Sequence, residues 1–485
     1  MARRIQRQPI AAVLLSAVFF PARSADLEPS PHISADSLRG HVSFLASDLL
    51  EGRDTPSPGL DIAAEYIAAQ FRRAGLDPAA GDSYFQTAPL VLREPDYEGF
   101  AITLTAGSRT LEIAAREAYV LPEAALKLDN APVVLAGATS QIAAEDVNGK
   151  VVILTGPRPP RGLQQTRPAL VLGAARELPS GPQVRNPDMP QRVGAVVGTI
   201  AKPELAGFLA GATEVRITAR IPAAKERPAQ ARNVAALLRG SDPALRDTYV
   251  MLTSHYDHLG LAPAVGLAPA VGLAPAGEDR IYNGANDDAS GAASVLEIAG
   301  ALAAMPVHPK RSVLFVLFFG EERGLWGSRY YGSHPLEPLA QTIADLNLEQ
   351  IGRTDASDGP QIRTASITGF DFSDIPNILR LAGEQTGIRV YKNAKVSDSF
   401  FDRSDNQALA DVGIPAHTLC VAFEFPDYHK VSDHWEKLDY DNMAAVDRAV
   451  ALGVLRMASE APAPKWNESY APARRYAEAA RKLRP

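Results

Sequence analysis

The order of apolar and polar positions divides the chain into three stretches. Over residues 37–74 apolar side chains recur at helical spacing, with Leu60, Ala63, Ala64, Ile67 and Phe71 on one face and Gly75 placed to end the helix. From about 91 to 222 the spacing changes. Short β-like runs at 101–104, 133–135, 151–154 and 195–200 lie between turns rich in proline and glycine, which predicts an inserted β-rich unit. Beyond it, apolar runs at 234–238, 249–253, 312–319, 343–348 and 416–421 alternate with helical patterns such as 289–304. Short apolar strands between helices predict an α/β fold with a mostly parallel, doubly wound mixed sheet covered on both faces. In such a sheet the active residues collect just past the strand ends.

One segment fits neither pattern. Gly-Leu-Ala-Pro-Ala-Val begins at Gly260, repeats at Gly266 and begins again at Gly272, so 260–277 reads as an expanded surface loop whose prolines prevent a regular helix.

Composition narrows the class. The 485 residues are 46% hydrophobic and 22% charged, as in a soluble globular protein of more than one domain. A net charge of −7 offers no basic surface for nucleic acid. At the start, Arg3, Arg4 and Arg7 precede an apolar run at 10–20 and the small-residue site Ala22-Arg23-Ser24. That order is a secretory signal over 1–25, and it predicts a secreted or periplasmic protein. The apolar run is too short to span a bilayer, and no other stretch is longer, so no membrane span is expected in the mature protein. Cys420 is the single cysteine and reads as a core strand residue, leaving no internal disulfide.

Five short segments place acids and histidines where a strand has just ended or a helix begins. Ser254-His255-Tyr256-Asp257-His258 follows the run 249–253; in His-x-Asp the carboxylate can fix the tautomer of a metal-binding imidazole. Asn286-Asp287-Asp288-Ala289 opens a helix, where a carboxylate can bridge cations or simply favour the helix start. Glu321 and Glu322 follow the most apolar strand; adjacent carboxylates there repel unless a cation compensates them, or else form a solvated turn. Glu349 closes the strand 343–348, and His429 lies downstream of 416–421. Each segment alone has an ordinary reading. Together, in an α/β frame, their mixed nitrogen and oxygen donors suit zinc.

The set resembles the secreted co-catalytic zinc aminopeptidases, family twenty-eight of the metallopeptidases. Leu49-Leu50-Glu51-Gly52-Arg53 with 63–67 is similar to that family's N-terminal region, 324–328 to the segment after its paired glutamates, and Gly413-Ile414-Pro415 completes the match. The resemblance implies two Zn2+ per chain: one held by His255 and Glu349, one by Glu322 and His429, with Asp287 bridging. It further implies Glu321 as general base, Asp257 orienting His255, an unusual peptide geometry between Asp287 and Asp288, and Asp405 as another supporting acid. The family usually has aspartate where Glu349 stands; glutamate keeps the charge but adds a methylene, which alters its reach. Residues 117–224 resemble a protease-associated domain, chiefly through 145–154.

These readings divide the chain into a signal at 1–25, catalytic parts at 26–116 and 225–460, the insert at 117–224 and a helical tail at 461–485. The expected activity is removal of N-terminal residues from peptides. A dipeptidase, a carboxypeptidase-type hydrolase, a glutaminyl cyclase of the same fold and a non-catalytic receptor-like module remain as alternatives. His258, His308, His334, His417 and His434 receive no role.

Overall fold

The computed structural model describes residues 32–156, 159–179, 181–189, 196–262, 279–460 and 462–484. The signal at 1–25 and most of the repeat loop therefore lie outside the described residues.

Among the described residues ten strands form one sheet. Nine lie in a continuous row: β1 Phe85–Glu94, β2 Gln183–Arg185, β3 Lys225–Leu238, β4 Tyr249–His255, β5 Ser312–Phe318, β6 Thr342–Glu349, β7 Thr364–Ile367, β8 Arg389–Tyr391 and β9 Ala416–Cys420. Their spatial order is β8-β7-β9-β6-β4-β5-β3-β1-β2. The centre, β9-β6-β4-β5, is parallel, and β3, β1 and β2 extend it antiparallel on one side. The sheet is thus mixed, with its parallel part where the apolar runs predicted it.

Eight helices surround the sheet: α1 Ala35–Leu45, α2 Pro58–Arg73, α3 Ser290–Ala303, α4 Trp326–Ser333, α5 Ile375–Thr386, α6 Asn406–Asp411, α7 Tyr440–Ser459 and α8 Arg474–Leu483. Side-chain alternation sends successive residues of a strand to opposite faces. Val250, Leu252, Val313, Phe315 and Leu317 meet α1, α2, α3 and α7 on one face. Met251, Leu314, Val316 and Phe318 meet α4, α6 and α8 on the other. Apolar burial on both faces explains why β4 and β5 are apolar almost throughout.

The helical stretch predicted over 37–74 is two helices, α1 and α2. Between them Glu51, Gly52 and Arg53 all take positive φ, at 46°, 71° and 51°. A Cβ on Gly52 would lie 2.5 Å from the carbonyls of Gly260 and Tyr282, so this turn packs where only glycine fits. Pro56 and Pro58 then prevent the helix from running through, while Pro58 is well placed in the first turn of α2.

A second sheet of eight strands is built from Ala101–Ala106 to Val215–Ile221, around its own core of Ile102, Leu104, Ile153, Leu172 and Ile217. It takes in Ala101–Ala106 and Arg109–Ile113, so the β-rich unit starts before residue 117. Its excursion β2 returns to pair with β1 and ties the two sheets together. No helix of the described residues is long and apolar enough to cross a membrane.

Candidate metal centre

The chain order places a crevice at one end of the parallel strands. From β4 the chain passes through α3 to β5, then through α4 back across β4 to β6. That reversal makes the C-terminal ends of β4, β5 and β6 a topological switch point. His255 ends β4, Glu321 and Glu322 follow β5, and Glu349 ends β6.

Asp287 arrives from the turn that precedes α3. Residues Ala285–Ala289 form a wide turn, the Asp287–Asp288 peptide is cis, and Asp287 is fully enclosed. Its carboxylate faces two imidazoles, one per oxygen: Oδ1 lies 3.3 Å from His255 Nε2, and Oδ2 lies 3.1 Å from His429 Nε2. His429 also stands 3.3 Å from Glu322 Oε1. His255, Asp287 and Glu349 each offer one donor atom within 4.8 Å of the others, and so do His258, Asp287 and Glu322.

Supporting contacts hold these groups in place. Asp257 Oδ1 lies 3.5 Å from His255 Nδ1 and accepts the Glu321 N–H at 3.1 Å. Asp288 turns away from the crevice; its carboxylate accepts from the Gly291 and Gln350 N–H groups at 2.9 and 3.0 Å and from Ser254 Oγ at 2.5 Å. Asp433 Oδ2 accepts from the N–H groups of Asn286 and Asp287 at 2.9 and 3.2 Å, joining the His429 loop to the Asp287 turn. Asp405 is buried and accepts from Ser328 Oγ at 2.5 Å, one layer behind the crevice. Gln350 Nε2 donates to Glu349 Oε1 at 3.2 Å.

The donor set fits divalent zinc. His255 Nε2, Glu322 Oε1 and Glu349 Oε2 are buried and have no hydrogen-bond partner. Buried polar atoms without partners are rare unless an ion or water takes them up. Two histidine nitrogens and several carboxylate oxygens are the mixture zinc favours. Electrostatics point the same way. Burial pushes the Glu321 carboxyl well above the ordinary range, with His255 opposing and Glu322, Glu349 and Asp405 reinforcing the rise. Glu349 is raised to about 7, again mainly by burial. Burial works against a charged His429, yet Asp287 and Glu322 overcome it and raise the imidazole to about 10. Crowded acids that lift one another and hold any neighbouring positive charge are what a cation site requires.

The structure brings all seven sequence-predicted site residues, His255, Asp257, Asp287, Glu321, Glu322, Glu349 and His429, into one crevice. It adds three that the sequence left without a role. His258, read as a polar residue of core or surface, lies inside the crevice with Nδ1 2.8 Å from Glu322 Oε1. Asp433 ties two loops, and Arg53 donates from beneath to the carbonyls of Tyr256, Asn283 and Gly284. Their only sequence signal was position inside segments already chosen for other residues. The open side of the crevice is bordered by Phe400, Arg403, Phe423, Glu424 and Tyr428.

Residues 233–454 match the model of peptidase family M28. Among curated relatives, a probable zinc metalloprotease of Pyrenophora teres f. teres is 33% identical over 132 residues, 27% of this chain and 25% of the relative, so the chain spans about a quarter of its length. A probable lipoprotein aminopeptidase, LpqL of Mycobacterium tuberculosis, is 25% identical over 471 residues, 87% of this chain and 84% of the relative. Among solved structures, the aminopeptidase from Aneurinibacillus sp. strain AM-1 superposes with a TM-score of 0.57 at 19% identity, covering 90% of this chain and 97% of that one. The segment that matches peptidase family M28 holds all the crevice residues named from sequence, and the chain has the fold of the zinc aminopeptidase structures it superposes on.

Proposed function

We propose that this chain is a zinc-dependent aminopeptidase with two zinc ions, acting on peptides outside the cytoplasm. The observation that carries the reading is the Asp287 carboxylate, which turns one oxygen to His255 and the other to His429, as a bridge between two cations must. His255 and Glu349 would hold one zinc, and Glu322 and His429 the other. Bound zinc supplies a Lewis acid and lowers the pKa of water toward neutrality. Glu321 stands in the same crevice with no ligand role, and burial favours its protonated form, so it can take a proton from the attacking water and return it to the leaving amine. Asp257 keeps that carboxylate's backbone and the His255 ring in one arrangement. The resemblance to LpqL supports the choice of the N-terminal end. We also infer that the β-rich unit is a protease-associated domain that shapes access to the crevice.

A panel of aminoacyl, dipeptidyl and C-terminally blocked fluorogenic peptides, with and without chelator, tests the reading. Cleavage of aminoacyl substrates, abolished by chelator and restored by zinc, is expected. Glu321→Gln should keep its zinc yet lose roughly 10²–10⁴-fold in kcat. Release only of C-terminal residues, or turnover untouched by chelator, would overturn the assignment.

A further inference from the structure

Two of the buried histidines that the sequence reading left without a role, His258 and His417, contrast. His417 is satisfied at both nitrogens: Nδ1 donates to the Thr368 carbonyl at 2.8 Å, and Nε2 meets Ser373 Oγ at 2.6 Å. That is an ordinary core histidine. His258 is only 1% exposed, yet neither of its ring nitrogens has a hydrogen bond. Its Nδ1 stands 2.8 Å from Glu322 Oε1, an atom that also lacks a hydrogen-bond partner, and its ring meets that of His429 edge-on at 5.7 Å.

The surrounding chain makes room for this imidazole. Gly284 lies against it so closely that a Cβ there would come within 2.4 Å of His258 Cγ. The backbone N–H of His258 donates to the Arg53 carbonyl at 3.2 Å, which fixes where the ring enters. Two ring nitrogens without a hydrogen bond, one of them set against Glu322 Oε1 in a fitted slot beside Asp287, mark a donor placed for a cation.

We propose that His258 is itself a zinc ligand, joining Asp287, Glu322 and His429 at one of the two cation positions. This rests on the two-zinc reading above. It makes the positions unequal. The Glu322 side gains four protein donors, two of them imidazole nitrogens, which is the closed arrangement of a tightly held zinc. The Glu349 side has three donors, His255, Asp287 and Glu349, and keeps an open place for water or substrate.

Metal binding and paramagnetic NMR on the full chain test this. In the wild-type protein loaded with Co2+ at both positions, three hyperfine-shifted imidazole N–H protons are expected, from His255, His258 and His429. Only two in the wild type would overturn the ligand role without any variant having to fold. By zinc titration against a competing chelator, His258→Asn should lose at least tenfold in affinity at one position and keep the other, while the metal-free variant melts with metal-free wild type. Wild-type affinity at both positions in His258→Asn would also overturn the proposal. If wild type takes up a single zinc that His429→Ala retains, the two-zinc reading itself has failed; two zincs in wild type and two held with unchanged affinity in His258→Asn sink only His258.

Discussion

Arg53 offers a demanding test of how the crevice is held together. Its guanidinium is wholly buried and donates to four carbonyls, those of Tyr256 at 2.8 Å, Leu45 at 2.5 Å, Asn283 at 2.7 Å and Gly284 at 3.0 Å. Those oxygens belong to the end of α1, the loop after β4 and the turn that delivers Asp287, so one side chain joins three segments. Arg53→Met keeps length and apolar bulk but removes every donor. Each carbonyl loses a charge-assisted bond worth roughly 1.5–3 kcal/mol. Against this stands the burial of the guanidinium itself, which lowers its pKa from 12.5 to about 10 even though Asp257, Asp433, Asp287 and Asp288 pull it upward. That net shift corresponds to about 3 kcal/mol that methionine escapes. Four such bonds less this cost leave roughly 3–9 kcal/mol, a range that takes in the roughly 3–5 kcal/mol seen when one partner of a buried charged network is removed. Urea denaturation of the metal-free proteins measures it, and the melting temperature should drop by roughly 3–9 °C, about 1 °C per kcal/mol in a chain of this length. Zinc affinity should fall as well, because two of the three segments carry proposed ligands. Arg53→Lys should recover little, since an ammonium cannot fork to four oxygens. A loss under about 1 kcal/mol in Arg53→Met would refute the reasoning, and full recovery in Arg53→Lys would show that charge rather than the fork matters.

Two further outcomes follow from buried geometry. Gly284→Ala would bring a Cβ within 2.3 Å of the Asp287 carbonyl as well as against His258, so it should cost roughly 1–3 kcal/mol and weaken zinc binding; unchanged stability and affinity by denaturation and chelator titration would mean the slot is softer than it looks. His417 gives a pH dependence. Burial lowers its pKa from 6.5 to about 4 in the folded chain, so its neutral form is favoured there, and the associated stability is complete above pH 6.5 and lost as pH falls toward 4. The full effect is about 3 kcal/mol. A His417→Gln variant should therefore show a flatter stability profile between those pH values, and parallel profiles would rule the linkage out.

The parallel centre of the sheet was legible because burial on both faces favours apolar residues: β4 and β5 read as nearly continuous apolar runs, and β6 as one broken by Asp345 and Asn347. The crevice residues were legible only as a set. An acid or histidine directly after such a run has an ordinary reading on its own, but His255, Glu322 and Glu349 all fall at or just past strand ends, where one sheet gathers them. The N-terminal helices read as one stretch because Leu60, Ala63 and Ile67 keep a strong helical period; Pro56 and Pro58 mark the break locally, while the shape of the turn before them depends on Gly52 meeting Gly260 across the fold. Periodicity is local, and that contact is not.

The same distinction explains His258 and Arg53. His255 announces itself through Asp257 two residues on, whereas the partner that gives His258 a role, Glu322, arrives from the far end of β5, and the space it occupies depends on Gly284. Arg53 satisfies oxygens from three segments, none of which signals a missing donor in the sequence. A motif can be read when both members of an interaction lie within a few residues. Where chain reversal at the switch point supplies the second member, only the fold reveals that a histidine with no local partner stands among metal-binding acids. The two-sided Asp287 is the extreme case: as sequence it is one of two acids at a helix start, and only β4 and the His429 loop, converging from opposite sides, give each of its oxygens an imidazole.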